Sequence, residues 1–225
     1  MVALLVLLTI LVFLTADYFI QRRQAAVRAN DSAVHARGAR VTPQIRYRTP
    51  QGVFFSPGHT WLYLEESGAA RVGIDEFAQS IMGRVDGVRT LEVGEAVRKN
   101  DVILEVRHST RTAKFRSPVD GVIEAVNTEL AGRHDILGIE PFSAAWMYRI
   151  RPESTSETLR HLLLGGAAQE WLGREVQRLK VILSTIVPKN PVLGETLQDG
   201  GLPAWGLIDY LNEAEWKQVQ EKIFD

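Results

Sequence analysis

Three kinds of hydrophobic patterning follow one another along the chain. Residues Met1–Ile20 are apolar almost without interruption, with Asp17 their only charge. Twenty helical residues rise roughly 30 Å, enough to cross a bilayer core. Tyr18 and Phe19 fall where interfacial aromatic rings are favoured. From Gly58 to Ile150, short runs alternate apolar and polar residues, the period of half-buried strands. Beyond Ser154 the spacing becomes helical. Leu172, Val176, Leu179, Ile182 and Ile186 form one stripe, and Trp216, Val219 and Ile223 share another face.

The β-rich region is organised around Val102–Val126. Ile103, Glu105 and Arg107 alternate with Val102, Leu104 and Val106; a polar tip, His108-Ser109-Thr110-Arg111-Thr112, leads into a second run reaching Ser117-Pro118-Val119-Asp120-Gly121. This predicts a hairpin in which Pro118 needs an edge or bulge and Gly121 suits a tight turn. Upstream, GHTWLYLEESGAARVGI predicts two strands about a Ser67-Gly68 turn, and IDEFAQSIMG a short helix stopped at Gly83. Further turns are expected at Val93-Gly94 and Lys99-Asn100, and PFSAAWMYRI is expected to close the region as a strand.

The C-terminal residues 153–225 are predicted to be a helical extension. Ser154 and Glu157 form a capping-box start after Pro152, and ETLRHLLLG runs toward a break at Gly165-Gly166. A long amphipathic helix follows, ended by Pro188 and Pro191, and Asn212 with Glu215 caps a terminal helix. The extension is too apolar to be disordered. Its stripe is covered either by the helices and barrel themselves or by another subunit. In the second case Leu172, Val176, Leu179, Ile182 and Trp216 are the docking candidates.

Charge changes the picture mainly at the N-terminus. The net charge of −1 gives no global nucleic-acid signal. No basic residue precedes the apolar segment, whereas Arg22, Arg23, Arg28, Arg37 and Arg40 follow it. A cleaved signal peptide needs a basic start, which is missing, and a small-residue cleavage site, for which Leu14-Thr15-Ala16 is poor. Residues 1–20 are therefore expected to be a retained transmembrane helix, N-terminus outside, with the bulk of the chain cytoplasmic at the inner membrane. Residues 21–50 form an arginine-rich juxtamembrane connector, in which Arg22, Arg23 and Arg28 are candidates for contact with anionic lipid.

Catalytic chemistry is not legible. The chain has zero cysteines, so it has no disulfide framework and no thiol nucleophile. No P-loop, dinucleotide fingerprint or zincin motif occurs. His35, His59, His108, His134 and His161 are scattered without metal-ligand spacing. His59 reads as a structural hydrogen-bonding residue, and Ser109 beside His108 is no triad because neighbours on a strand face opposite ways. No catalytic residue, metal or small-molecule substrate is expected.

In order, HTW, VGIDEFAQSIMG, LEVGEAVRKND, RSPVDGVIEAVN and PFSAAWMYRI resemble the glycine cleavage H-protein family across residues 58–150. The resemblance implies an α+β barrel-sandwich hybrid of two small antiparallel sheets over residues 51–152. It also implies a lipoyl carrier passing an aminomethyl group between enzymes. In the family the lipoyl lysine lies at the hairpin tip, seven residues before the serine of the SPV motif. Here that position is Thr110, flanked by Arg107, His108, Ser109 and Arg111. The domain's only lysines, Lys99 and Lys114, lie elsewhere. The expectation is a barrel without a cofactor, serving as a membrane-anchored scaffold or accessory subunit. Its partners would be membrane-complex subunits and the bilayer, not nucleic acid. Three other readings remain: a true lipoyl carrier; a membrane-fusion-type transport adaptor, for which residues 100–126 leave no room for a coiled-coil hairpin; and a lipid-surface or ligand-binding module that uses the arginine connector.

Overall fold

The computed structural model describes residues 47–131, 133, 136–186 and 205–224. The expected transmembrane helix, the connector as far as residue 46 with Arg22, Arg23 and Arg28, and the loop after Ile186 lie outside these residues. Among the described residues no helix is long and apolar enough to cross a membrane.

The strands are β1 (Val53–Phe55), β2 (Thr60–Leu64), β3 (Ala70–Ile74), β4 (Gly87–Thr90), β5 (Ala96–Val97), β6 (Val102–His108), β7 (Arg111–Arg116), β8 (Gly121–Val126), β9 (Trp146–Pro152) and β10 (Leu163–Leu164). They form two antiparallel sheets. One runs β10-β1-β2-β3-β9-β8-β5 and the other β4-β6-β7. Trp61, Phe55, Phe115, Ile123, Met147 and Tyr148 from both sheets fill a shared core. The helices are α1 (Glu76–Met82), α2 (Ile136–Ile139), α3 (Thr155–Leu159), α4 (Gly166–Ile186) and α5 (Glu213–Ile223). Short 3-10 turns occupy Thr128–Ala131 and Leu207–Tyr210. Two small antiparallel sheets with helices fit the barrel-sandwich expectation.

Local signals placed several of these elements. Asp75 caps α1 by accepting from the Ala78 N–H at 2.8 Å, and Gly83 ends it at φ +62. Asn212 and Glu215 form a full capping box on α5, each accepting from the other's backbone.

The structure corrects the sequence reading in four places. Ile103 does not face out with Glu105 and Arg107. The register slips between Val102 and Leu104, so Ile103 turns inward and is buried, as one extra residue in a bulge requires. Tyr148 donates to the Ile103 carbonyl at 2.5 Å. The hairpin's second strand stops at Arg116, and Ser117-Pro118-Val119 carries the chain from the small sheet to the large one. Gly121 opens a strand rather than a turn. Its Cβ would stand 2.3 Å from the Arg151 carbonyl, so only glycine permits this approach of β8 to β9.

The fourth correction concerns the C-terminal extension. The described residues of the barrel and of the extension belong to one compact unit. The run after α3 is not helical throughout. Leu163 and Leu164 add an edge strand to β1, opposite Phe55 and Phe54. Leu172, Val176, Leu179, Ile182 and Trp216 are all buried, because α4 and α5 pack on each other and on the barrel. That stripe is covered by the chain itself and is not a free docking face.

Candidate functional site

The hairpin tip is built by a two-residue turn. β6 and β7 pair from Val106 opposite Ala113 to His108 opposite Arg111, leaving Ser109 and Thr110 to reverse the chain. Ser109 has φ +52, the left-handed backbone that so short a reversal demands. Its N–H donates to Asp86 Oδ2 at 2.7 Å, tying the tip to the turn before β4. That hydrogen bond, and then the charges of His108, Arg84 and Arg107, hold the Asp86 carboxyl below its ordinary value. Ser109, Thr110 and Arg107 are exposed, and Arg111 is half-buried.

One flank of the hairpin is covered by the chain's own C-terminal segment. His108 is buried, with Nδ1 bonded to the Arg84 carbonyl and Nε2 2.5 Å from Asp209 Oδ1. Arg111 donates to the Ile208 carbonyl, and Trp216 Nε1 donates to the Thr112 carbonyl at 3.3 Å. Phe115 meets Phe224 edge-on, with ring centroids 5.5 Å apart. The turn at Leu207–Tyr210 is brought in by the meeting of Gly206 (φ +74) with Gly83. A Cβ on Gly83 would stand 2.4 Å from Gly206 Cα. Residues 206–224 thus act as a strap along β7. None of its contacts was legible beforehand, because the partners lie 97, 101 and 104 positions apart.

The tip offers hydroxyls and guanidinium groups, with no amine. Lys114 lies on β7 with its Nζ 3.9 Å from Glu105 Oε1. The Lys99 N–H donates to Asp120 Oδ1 at 2.9 Å in the turn between β5 and β6. Among the described residues, no group of three or more His, Asp or Glu side chains is placed to hold a metal ion.

A model of the glycine cleavage H-protein family matches residues 53–175. The chain belongs to that family. The match continues past Ile150, where the recognisable motifs end, through β10 and into α4. A probable glycine cleavage system H protein of Pyrococcus furiosus is 32% identical over 126 residues, covering 56% of this chain and 93% of that protein. The glycine cleavage system H proteins of Hydrogenovibrio crunogenus and Kocuria rhizophila are 32% and 34% identical over 108 and 114 residues, 48% and 50% of this chain and 84% and 89% of theirs. The crystal structure of such a protein from Mycobacterium marinum aligns with a TM-score of 0.48 at 26% identity, over 56% of this chain and 97% of that one.

Set beside an H protein's expected lipoyl group, the tip does not fit. An amide to lipoic acid needs a lysine nitrogen, and the turn holds Ser109 and Thr110. Lys114 sits within a paired strand opposite Glu105, so its amine leaves from a sheet face and not from a reversal.

Proposed function

We propose that this member of the H-protein family is a non-lipoylated, non-catalytic scaffold or accessory subunit of a membrane complex facing the cytoplasm. The observation that carries the proposal is Thr110. The exposed turn that would present a carrier lysine presents a hydroxyl instead, and the strap already occupies the hairpin's flank. The membrane part rests on Met1–Ile20 and the arginines after it. The relatives' names favour a second reading, a carrier of the glycine cleavage system. That reading requires loading at Lys99 or at Lys114, whose side chain is 47% exposed.

The test is the intact mass of the full-length protein recovered in detergent from native membranes of lipoate-fed cells, with crosslinking before extraction. The expected result is the unmodified mass, a protein that stays with the membrane fraction at high salt, and crosslinks to other membrane subunits. A lipoyl adduct on Lys114 or Lys99 would establish the carrier reading instead. Recovery in the soluble fraction would remove the anchor from the proposal.

A further inference from the structure

His59 stands wholly buried where β2 begins. Its backbone is left-handed at φ +58, an uncommon conformation for a non-glycine residue. The imidazole lies between two carboxylates from different parts of the chain. Nδ1 is hydrogen-bonded to Asp75 Oδ2 at 2.9 Å, in the turn that starts α1, whereas Nε2 lies 3.9 Å from Glu175 Oε2 on α4, an ion-pair distance at which neither atom has a hydrogen-bond partner. Three aromatic rings close the site: Phe77 of α1 at 4.9 Å, Trp171 of α4 at 5.0 Å, and Phe224 after α5 at 5.7 Å.

A neutral imidazole has one N–H and one lone pair. With the proton on Nδ1, the Nε2 lone pair faces Glu175. With the proton on Nε2, the Nδ1 lone pair faces Asp75 at hydrogen-bond distance. Only the doubly protonated ring places a proton before each carboxylate. The other charged and titratable groups agree with this. Asp75 Oδ1 is committed to the Ala78 N–H, and Glu76 is paired with Arg48 at 3.0 Å. Tyr47, edge-on to Phe77, bonds through its hydroxyl to Ser80. Arg178 Nη1 lies 3.6 Å from Glu175 Oε2 at the rim. Asp75, Glu175, His59 and Arg178 then sum to zero charge.

We propose that the His59 imidazolium is an ionic latch: clasped by Asp75 of the barrel and Glu175 of α4, it holds the C-terminal helices down and so governs whether the hairpin flank is covered. α4 packs against α5, and α5 with residues 206–210 forms the strap over β7. When the ring loses its charge, Glu175 faces the Nε2 lone pair and keeps only Arg178 at the rim, so the hold on α4, and with it on the strap, weakens. Burial by itself pulls the imidazole down. The charge and hydrogen bond of Asp75, with Glu175 behind, outweigh it and push the ring up to about 9. The latch is therefore closed throughout the neutral range and opens as pH rises through about 9.

The test uses the full chain with nitrogen-15-labelled histidine. At pH 7.5 both ring nitrogens of His59 should give protonated shifts, with a single transition near pH 9. Hydrogen exchange, corrected for the intrinsic pH dependence, should show residues 166–186 and 207–223 losing protection together above that transition while β2, β3 and β9 keep theirs. Glu175→Gln should lower the transition and weaken protection of α4 by about tenfold for each pKa unit lost. If that variant does not fold, the wild-type titration decides alone. A neutral His59 ring at pH 7.5 would overturn the latch, as would α4 protection unchanged in folded Glu175→Gln.

Discussion

His59 and His108 are both histidines that meet carboxylates from distant sequence, yet their settings differ. The His59 side chain is 0% exposed and its partner Asp75 1%, so that pair has exchanged water entirely for protein. The His108 side chain is 10% exposed, but its partner Asp209 is 54% exposed. Water and salt screen the second pair and scarcely reach the first. Losing a partner therefore leaves an uncompensated charge in the core at one site and a solvated carboxylate or ring at the other. The same residue type is a buried latch held by charge in one place and a solvent-screened clasp in the other.

The sharpest way to break this contrast is to remove the buried carboxylate. Asp75→Ala should cost about 3–5 kcal/mol from the stranded imidazolium, and about 1 kcal/mol more from the lost α1 cap, read by urea unfolding of the full chain. A cost below about 1 kcal/mol would place the two histidines in one class.

The pH dependence should separate them next. The His59 pKa is raised in the fold to about 9 from 6.5, so its contribution is complete below pH 6.5, shrinks above it and is gone as pH rises through about 9. The loss is on the order of 3 kcal/mol. Stability measured from pH 6 to pH 10 should fall accordingly, and His59→Gln should flatten that part of the curve. A curve equally steep in His59→Gln would assign the effect elsewhere.

Asp209→Asn at the rim should cost only about 0.2–1 kcal/mol and lose that cost in high salt. Its clearer readout is faster amide exchange at residues 207–210 without change in α4. The smallest effect is expected at the tip itself. Thr110→Ala removes an exposed side chain that holds nothing in place and should stay within about 0.5 kcal/mol in thermal unfolding. A larger loss would show that the turn depends on the threonine.

What the sequence made legible was local. The β6–β7 hairpin, α1 with its Gly83 stop and the Asn212–Glu215 cap all follow from neighbours within a few positions. Family motifs carried the sheets between them. The bulge at Ile103 was hidden because alternation reads straight through it. The two-residue strand β10 is too short to show any period. Thr110's place at the tip followed from the family resemblance, which puts the carrier position seven residues before Ser117, whereas the strap over its flank joins residues about a hundred positions apart and left no local mark. Glu175 is the one missed residue that did leave a signal. It stands one helical turn from Trp171 and from Leu179, a charge on an apolar stripe, and such a charge needs a buried partner.

The separation between hairpin and strap is also a separation in time. Asp209 follows His108 by 101 positions and Trp216 follows Thr112 by 104. At translation rates of about 5–20 residues per second, the strap leaves the ribosome roughly 5–20 s after the hairpin it covers. Until the strap arrives, the Thr112 carbonyl and the His108 imidazole lack the partners that cover them in the finished fold.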